Sequence, residues 1–329
     1  MDMNREDSTV KVDTKDRKIL LELDFDARQT NSKIAKKIGL SKQGVEYRIN
    51  NLIKKGVILG FYPMINNSKL GYIYGRILFR FQNLDGTTGK RLVEDFKSNK
   101  KFNWILKSEG QYEFGTGIWV KTLSEFKEIV RNIKTKYSAY IKDLRESIAI
   151  RVTHYQYRVL LNTENTKKVV FEETPLRVEL DILDKRILKL LCDNARAPLV
   201  EMSNKLNVSP KVLAYRIKKL EKNGVILGYR PLIDHSLLGY TYYKILFYLN
   251  ATKNEFETFR RYLEDHPKVI YIVDEVGICD IDVEAMFESE RDYFDFMKEL
   301  KLKFPKLIKE YETLIGMENL KVNYLPYDL

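Results

Sequence analysis

Cysteine and histidine are scarce in this chain of 329 residues, which has two cysteines and three histidines. Cys192 and Cys279 form no CxxC pair, so the sequence argues against a disulfide framework and against a zinc finger. His154, His235 and His266 lack the spacing of metal ligands. We therefore expect no metal, no cofactor and a cytoplasmic location, because structural disulfides belong mainly to oxidising compartments.

Long hydrophobic runs are also missing, since none approaches the ~20 residues that a membrane span needs. The stretch MDMNREDSTV at the N-terminus is polar and acidic, which argues against a signal peptide. The sequence contains no GxSxG, P-loop or HExxH pattern, which removes three common kinds of catalytic or nucleotide site. A chain of this length is nevertheless expected to form two or more domains with real cores.

Positive charge is abundant but unevenly distributed, and the formal net charge is +11. The net charge is +7 over residues 11–70, +8 over 71–160, +6 over 181–250 and −7 over 251–329. Three quarters of the chain is therefore basic and the last quarter is acidic. A uniform basic coat for nucleic acid would not have this pattern.

The chain contains an internal repeat. The segment SKQGVEYRINNLIKKGVILG at residues 41–60 returns 168 residues later as SPKVLAYRIKKLEKNGVILG. Residues 13–79 align with 181–247 without a gap, and 29 of the 67 aligned positions are identical. Such agreement indicates a tandem duplication.

Each repeat begins with a pattern typical of a helix-turn-helix domain, which we call a head. Short helices are predicted at 14–23 and 31–38, and again at 182–191 and 199–206, each pair followed by a tight turn and a third helix. The β-rich segments 57–65 and 225–233 then predict a wing or a connecting strand. Pro63 and Pro231 favour an edge position for these strands.

Each head is followed by a mixed pattern, which we call a sensor unit. The first unit predicts a strand at 74–81, a helix at 88–97, strands at 104–108 and 114–120, a helix at 123–137 and a strand at 147–161. The second predicts the same elements at 242–249, 255–265, 269–273, 281–287, 290–302 and 313–324. The order βαββαβ is that of a ferredoxin-like unit. Its sheet leaves one face uncovered, which favours pairing of two units.

The predicted fold class is therefore α+β, with two repeats that each join a winged helix-turn-helix head to a ferredoxin-like unit. The predicted domains are a disordered N-terminus (1–12), the first head (13–66), the first sensor unit (67–161), a linker (162–179), the second head (180–234) and the second sensor unit (235–329). The linker contains Pro175 and a short strand at 169–171. Opposite net charges on the two sensor units favour an intramolecular pseudo-dimer, which could assemble further into homo-oligomers.

The third helix of each head has an apolar stripe and a polar face. Val45, Ile49 and Leu52 share one side of the first, as their equivalents do in the second. The opposite face combines amides, tyrosine and basic groups, which can contact base edges and phosphates of double-stranded DNA. We predict DNA contacts by Ser41, Lys42, Gln43, Tyr47, Arg48, Asn50, Asn51, Lys54, Ser209, Lys211, Tyr215, Arg216, Lys218, Lys219 and Lys222.

Two alternatives stay open for these residues. The lysine-rich faces could simply be solvated, as such faces usually are. Arg48 and Arg216 could form ion pairs with Asp16 and Asp184 instead of contacting phosphates. The two heads also differ, because the first carries Gln and Asn where the second carries Lys, so we hypothesise that the first reads sequence and the second adds salt-dependent affinity.

The heads resemble the leucine-responsive regulator/AsnC (feast/famine) family of transcription regulators. The resemblance rests on DTKDRKILLEL, SKQGVEYRINNLIKKGVILGF and Leu70-Gly71, and on DILDKRILKLL, SPKVLAYRIKKLEKNGVILGY and Leu238-Gly239. It covers most of the chain twice and is weaker in the sensor units. Members of that family usually carry one such unit per chain and dimerise, so this chain resembles two members fused.

The same resemblance implies a possible effector site between paired sensor units. In the family, a Gly-x-Tyr-Asp-like turn lies near the effector pocket, and here the matching stretches contain Gly110, Tyr112 and Glu113, and Gly277 and Asp280. The first has Glu in place of Asp and the second lacks the Tyr, which puts binding of an amino acid in doubt. A tight turn that needs glycine explains these stretches equally well.

The leading prediction is a sequence-specific DNA-binding transcription regulator, modulated by a small-molecule effector if one exists, and not an enzyme. The main alternative is a sirohaem-decarboxylase-like enzyme, because those enzymes resemble the family in fold but bind a tetrapyrrole. That alternative predicts basic and histidine residues around a large pocket between the sensor units. A third interpretation is an architectural protein that binds DNA with little sequence preference.

Overall fold

The computed structural model describes residues 9–163, 167–172, 174 and 176–329. Three helices form each head. In the first they are α1 (Thr14–Leu23), α2 (Asn31–Ile38) and α3 (Lys42–Lys54), and a pair of helices, α4 (Gly86–Ser98) and α5 (Leu123–Lys136), follows in the first sensor unit. The second repeat has α6 (Ile182–Asp193), α7 (Leu199–Leu206), α8 (Pro210–Lys222), α9 (Lys253–Asp265) and α10 (Glu290–Lys303).

The strands follow the same repeat. They are β1 (Ile58–Ile65), β2 (Ile73–Phe81), β3 (Phe102–Gly110), β4 (Phe114–Val120), β5 (Ile141–Tyr155), β6 (Lys168–Glu172), β7 (Ile226–Ile233), β8 (Thr241–Leu249), β9 (Val269–Val276), β10 (Ile281–Phe287) and β11 (Ile308–Val322). Within the first sensor unit the spatial order is β5-β2-β4-β3, and within the second it is β11-β8-β10-β9. Both are antiparallel four-stranded sheets, and the predicted ferredoxin-like order is confirmed.

The last strand of each sensor unit is long enough to join both sheets. The first half of β5 pairs with β2 of its own unit, and its second half pairs with β9 of the other unit. Likewise, β11 pairs with β8 and then with β3. Eight strands consequently form one continuous closed sheet, and β6 adds to the outer edge of β5.

The two sheet faces have different surroundings. The outer face packs against the helices of its own unit through a separate apolar core, built on Phe79, Phe96 and Phe102 in the first unit and on Phe247, Phe259 and Phe287 in the second. The inner face holds a small cluster that mixes residues of both units, including Leu78, Tyr112 and Leu314. Large side chains thus fill both sides of the closed sheet.

The two heads are joined by their own two-stranded sheet. The strand after each third helix pairs with its counterpart in the other head, so that Phe61 lies opposite Pro231 and Pro63 opposite Tyr229. In a two-stranded sheet both strands are edges, which suits the prolines. The predicted wing strands therefore exist, but they connect one head to the other.

A buried ion pair anchors the heads to the sensor units. The Arg230 guanidinium of β7 donates to the Asp24 carboxylate at the end of α1, with Nε to Oδ1 at 2.5 Å, and both side chains are fully buried. The ring of Tyr157, just after β5, lies 4.3 Å from the same guanidinium. The hydroxyl of Tyr271 in β9 accepts from Arg230 at 3.2 Å. One arginine therefore contacts both heads and both sensor units.

Several predicted boundaries differ from the structure, most of all those of the two long final strands. The final strands were expected at 147–161 and 313–324, but they begin six and five residues earlier, and β5 ends at Tyr155. Residues 1–8 of the predicted disordered N-terminus lie outside the described residues, whereas Val10 donates its backbone N–H to the carbonyl of Leu237, just after the second head. In the linker, the predicted strand is β6, and Pro175 lies outside the described residues.

In the part of the chain that the structure describes, no helix has the length and apolar character needed to cross a membrane.

Candidate nucleic-acid interface

The third helix of each head starts and stops at residues that satisfy its free backbone groups. Ser41 Oγ accepts the N–H of Gly44 at 3.0 Å, and Ser209 Oγ accepts that of Val212 at 3.2 Å. Both helices end at a glycine with positive φ, Gly56 at 77° and Gly224 at 68°. In the first helix, the next residue donates its N–H to the carbonyl of Leu52, which is the hydrogen bond of a Schellman motif.

The apolar stripe of each third helix is buried, as its periodicity predicts. Val45, Ile49 and Leu52 lie in the core of the first head, and Leu213, Ile217 and Leu220 in that of the second. The two mid-face tyrosines are on the surface, with 72% of Tyr47 and 66% of Tyr215 exposed. Both tyrosines therefore lie on the polar face, which agrees with the predicted orientation of both helices.

The predicted DNA-contacting set is largely solvent-facing. Its exposed members are Ser41, Lys42, Gln43, Tyr47, Asn50, Lys54, Ser209, Lys211, Tyr215, Lys218, Lys219 and Lys222, while Asn51 is half-buried. Most of these side chains are free of ion pairs among the described residues, so amide, hydroxyl and ammonium groups are available to an incoming ligand. Both faces are long, convex helix surfaces of the kind that fits a DNA major groove.

Arg48 and Arg216, in contrast, are engaged in ion pairs. Arg48 Nη1 lies 2.8 Å from Asp13 Oδ2 and 2.7 Å from Asp16 Oδ1. Hydrogen bonds with Asp16 and then Asp13 raise the pKa of the Arg48 guanidinium. Arg216 makes the equivalent contacts with Asp181 and Asp184 at 2.6 and 3.3 Å. The structure thus contains the ion pairs that were the alternative to a phosphate contact, because these carboxylates cap the first helix beside the third.

The predicted effector residues are occupied by structural contacts. Tyr112 is fully buried, and burial raises the pKa of its phenol. The Glu113 carboxylate accepts the N–H of Phe81 at 2.9 Å, and the Asp280 carboxylate accepts that of Leu249 at 2.7 Å. The two donors, Phe81 and Leu249, are the last residues of the equivalent strands β2 and β8. The replacement of Asp by Glu in the first turn therefore preserves a structural role.

The two effector glycines lie where the sensor units touch. Gly110 has a φ of 119°, and a Cβ there would lie 2.6 Å from the carbonyl oxygen of Thr313 in β11. Gly277 has a φ of 132°, and a Cβ there would collide with the carbonyl oxygen of Glu146 in β5. Only glycine fits both the backbone conformation and the close approach. A tight turn that needs glycine therefore explains both residues. The backbone that crowds each glycine belongs to the other sensor unit.

A buried ionic network between the sensor units was not predicted. Arg76 donates to Glu275 at 2.5 Å and also contacts Asp282, while Lys244 contacts Asp282 at 2.7 Å and Glu284 at 2.5 Å. Burial raises the pKa of Asp282, but Lys244 and Arg76 outweigh it and hold that pKa below its usual value. The sequence does contain a sign of this network, because two cations, Arg76 and Lys244, occupy equivalent positions in otherwise apolar strands.

The histidines and cysteines form no reactive centre. Burial lowers the pKa of His235 and His266 to about 4 and that of His154 well below its usual value, so all three are neutral at pH 7. Cys192 and Cys279 are free thiols, and burial raises the pKa of both. Among the described residues, no group of three or more His, Cys, Asp or Glu side chains could hold a metal ion.

Comparison with known proteins gives the same two-part division. A family model described as winged helix-turn-helix DNA-binding matches residues 12–58 and again residues 180–226. An HTH-type transcriptional regulator of Pyrococcus furiosus is 30% identical over 146 residues, which are 43% of this chain and 94% of that protein. The regulatory protein AsnC of Haemophilus influenzae is 28% identical over 140 residues, or 43% and 93%.

The chain belongs to the leucine-responsive regulator/AsnC family. It is a tandem-duplicated member, because the winged helix-turn-helix model matches it twice and each relative is nearly covered by under half of this chain. Its heads are winged helix-turn-helix DNA-binding domains. A solved sirohaem decarboxylase, NirDL, is similar over 94% of this chain and 93% of its own, with a TM-score of 0.62 and 14% identity. That likeness concerns the fold alone.

Proposed function

We propose that this protein is a sequence-specific regulator of transcription that binds double-stranded DNA with two unequal heads. The observation that carries the proposal is the pair of exposed third-helix faces, one rich in amides and the other in lysines, on winged helix-turn-helix domains. Amides hydrogen-bond base edges, and lysines neutralise phosphates. A cytoplasmic location is part of this proposal.

The proposal is tested by selecting bound fragments from random DNA at physiological salt and sequencing them. A regulator with two unequal heads should enrich a motif of two different half-sites at a fixed spacing, because the ribbon of β1 and β7 joins the heads. Binding without enrichment would instead identify a low-specificity architectural protein. Absence of binding would refute the proposed function.

We infer further that the sensor units pair within one chain as a pseudo-dimer. Support comes from the ladders of β5 with β9 and of β3 with β11, and from the distribution of the ionic network between the units. Arg76 comes from the first unit, whereas Glu275, Asp282 and Glu284 come from the second. The first unit has Gly115 and Gly117 at the positions of Asp282 and Glu284, so self-pairing would leave Arg76 without these carboxylates.

We infer that the chain is not a tetrapyrrole enzyme. An enzyme of that kind would need basic and histidine side chains around a large cavity between the sensor units. The inner side of the closed sheet is instead filled by a mainly apolar cluster and by three carboxylates bound to two cations, all largely buried. A spectral titration with sirohaem checks this point, and we expect no shift of the Soret band; a stoichiometric shift would contradict the inference.

A small-molecule effector stays a prediction of the family resemblance. The residues first named for it, around Gly110 and Gly277, sit at the junction of the two sensor units. A ligand there would therefore act by changing how the units pair, and through Arg230 how the heads are held. The check is a thermal-unfolding screen of the common amino acids, in which a ligand of the folded state raises the melting temperature.

A further inference from the structure

A cleft of about 280 Å³ opens between the two heads, next to the start of α3. Its lining comes from both repeats and consists of Arg28, Gln29, Thr30, Asn31, Lys42, Arg196, Ala197, Pro198 and Leu199. Three of these side chains are cations and none is an acid. The cleft is therefore a positively charged surface at the junction of the two heads, beside the N-terminus of α3.

Two arginines at equivalent repeat positions cross the cleft in opposite directions. Arg28 of the first head donates to the carbonyl oxygens of Ala195 and, at 3.4 Å, Ala197 in the second. Arg196 of the second head donates to the carbonyl oxygen of Ala27 in the first, and to the Asn31 side-chain oxygen at 2.9 Å. Carbonyl and amide groups fix both guanidinium groups in place, but they carry no net charge to neutralise them.

Acidic groups near the cleft do not offset this charge. The acid that acts on Arg196 is Asp26, which is itself paired with Lys33 at 3.1 Å. Burial, and then repulsion from Arg28, lower the pKa of Arg196. An anion that binds between two like positive charges relieves their repulsion, so binding of an anion at this place is favoured. The third cation, Lys42, is exposed at the first position of α3.

We propose that this cleft binds the phosphodiester backbone of DNA midway between the two half-sites. The proposal rests on the proposed function and deepens it, since it adds a phosphate contact by Arg28 and Arg196 at the junction of the heads to the contacts predicted for the third helices. Phosphate oxygens suit guanidinium donors that are already held in position. DNA is favoured over free phosphate because the cleft is open to the surface and continues into the predicted DNA face through Lys42.

The experiment leaves the protein intact and changes the DNA. In a duplex with the selected two-part motif, single central phosphates are replaced by uncharged methylphosphonates, and binding is measured as a function of salt. Neutralising a phosphate that the cleft contacts should lower the slope of log K against log salt by about 0.9. The same replacement outside both half-sites is the matched control and should leave the slope unchanged.

A protein variant ties the effect to the cleft. Lys42→Gln should lower the salt slope on unmodified DNA. When a central phosphate is neutralised, this variant should lose less affinity than the wild type, because the contact is already missing. Arg196→Gln should do the same, and because Arg196 also holds the heads together, its circular dichroism and unfolding curve are recorded alongside. Lys33→Gln is the control, since Lys33 is paired outside the cleft. If Arg196→Gln does not fold, Lys42→Gln is compared with the wild type on the central methylphosphonates, and an equal loss of affinity for both would overturn the cleft assignment.

Each outcome separates the two proposals. DNA binding that is insensitive to every central phosphate would overturn the cleft assignment and leave the proposed function standing. No binding to any selected DNA would overturn both. If inorganic phosphate protects wild-type protein from thermal unfolding through Arg196, yet central methylphosphonates cost nothing, the cleft is a site for a free anion and the DNA assignment is wrong.

Discussion

Arg48 and Arg216 show how one side chain type can serve two roles on a DNA-binding helix. Each lies at the flank of the exposed face, so sequence position alone allowed a phosphate contact. In the folded heads each guanidinium instead bridges two carboxylates at the start of the head's first helix. Only the packing of helix against helix, which the sequence pattern does not contain, decides between these roles.

Arg48→Met should therefore act on stability and not on the salt dependence of binding. Two partly exposed ion pairs with Asp13 and Asp16 would be lost, and we expect the free energy of unfolding to fall by about 1 kcal/mol. Urea unfolding measures this loss, and salt-dependent DNA binding provides the second readout. A salt slope lowered by about 0.9 at unchanged stability would show that Arg48 contacts a phosphate after all.

The exposed residues of the two third helices should separate affinity from specificity. The triple variant Lys211→Gln, Lys218→Gln and Lys222→Gln should lower the salt slope by up to about 2.7, since three phosphate contacts are removed. The double variant Gln43→Ala and Asn50→Ala should keep the slope and relax base preference at the first half-site, by about 1–3 kcal/mol for each lost base contact. Salt titrations on matched and mismatched sites measure both effects, and the reverse pattern would refute the division of labour.

At the scale of elements, helices were easier to predict than the long strands. The predicted limits of α1, α2 and α7 agree with the structure because caps and apolar periodicity lie within a few residues of each other. β5 and β11 were misplaced because each takes partners from two sheets. Each strand has a bulge at the change of partner, at Ile150 and Met317, and these exposed residues interrupt the alternation that a strand prediction relies on.

The glycines at the junction of the two sensor units offer a test at this scale. Gly110→Ala and Gly277→Ala each place a Cβ against backbone of the other unit at positive φ. We expect each to lower the free energy of unfolding by about 2 kcal/mol or more, from strain and overpacking together. Chemical denaturation followed by circular dichroism provides the measurement.

Gly89→Ala is the matched control for these two substitutions. Gly89 lies within α4, and a Cβ there would have no atom within 4 Å. Alanine should therefore leave the protein as stable or raise the free energy of unfolding by about 0.5–1 kcal/mol, because glycine is unfavourable inside a helix. If all three variants behaved alike, the close approach at the junction would not be a structural requirement.

At the scale of the whole molecule, we propose that one chain supplies both halves of a dimer. The duplication and the opposite net charges of the sensor units could be read from the sequence, and they favoured pairing within the chain. The way in which the units pair could not be read from the sequence, because it depends on strands that leave their own sheet. It also depends on contacts between distant residues: Arg76 meets carboxylates about 200 residues away, and Arg230 links four parts of the chain. Such contacts leave no local periodicity.

Sedimentation equilibrium in high salt tests this organisation. If the sensor units pair within the chain, a folded species of 38.9 kDa should persist when surface charges are screened, because the network around Arg76 is buried. Circular dichroism in the same buffer establishes that this species is folded. Chains that remain tightly paired, with no folded single chain at any concentration, would contradict the intramolecular arrangement.

The number of chains bound to one operator tests most directly whether a single chain supplies both DNA-binding heads. Native mass spectrometry of the complex with a short duplex carrying a single selected motif gives that number. One chain of 38.9 kDa with two unequal heads should occupy both half-sites, so the lowest protein-to-DNA ratios should give a one-to-one complex. A complex that always contains two chains per motif, even with DNA in excess, would contradict the account.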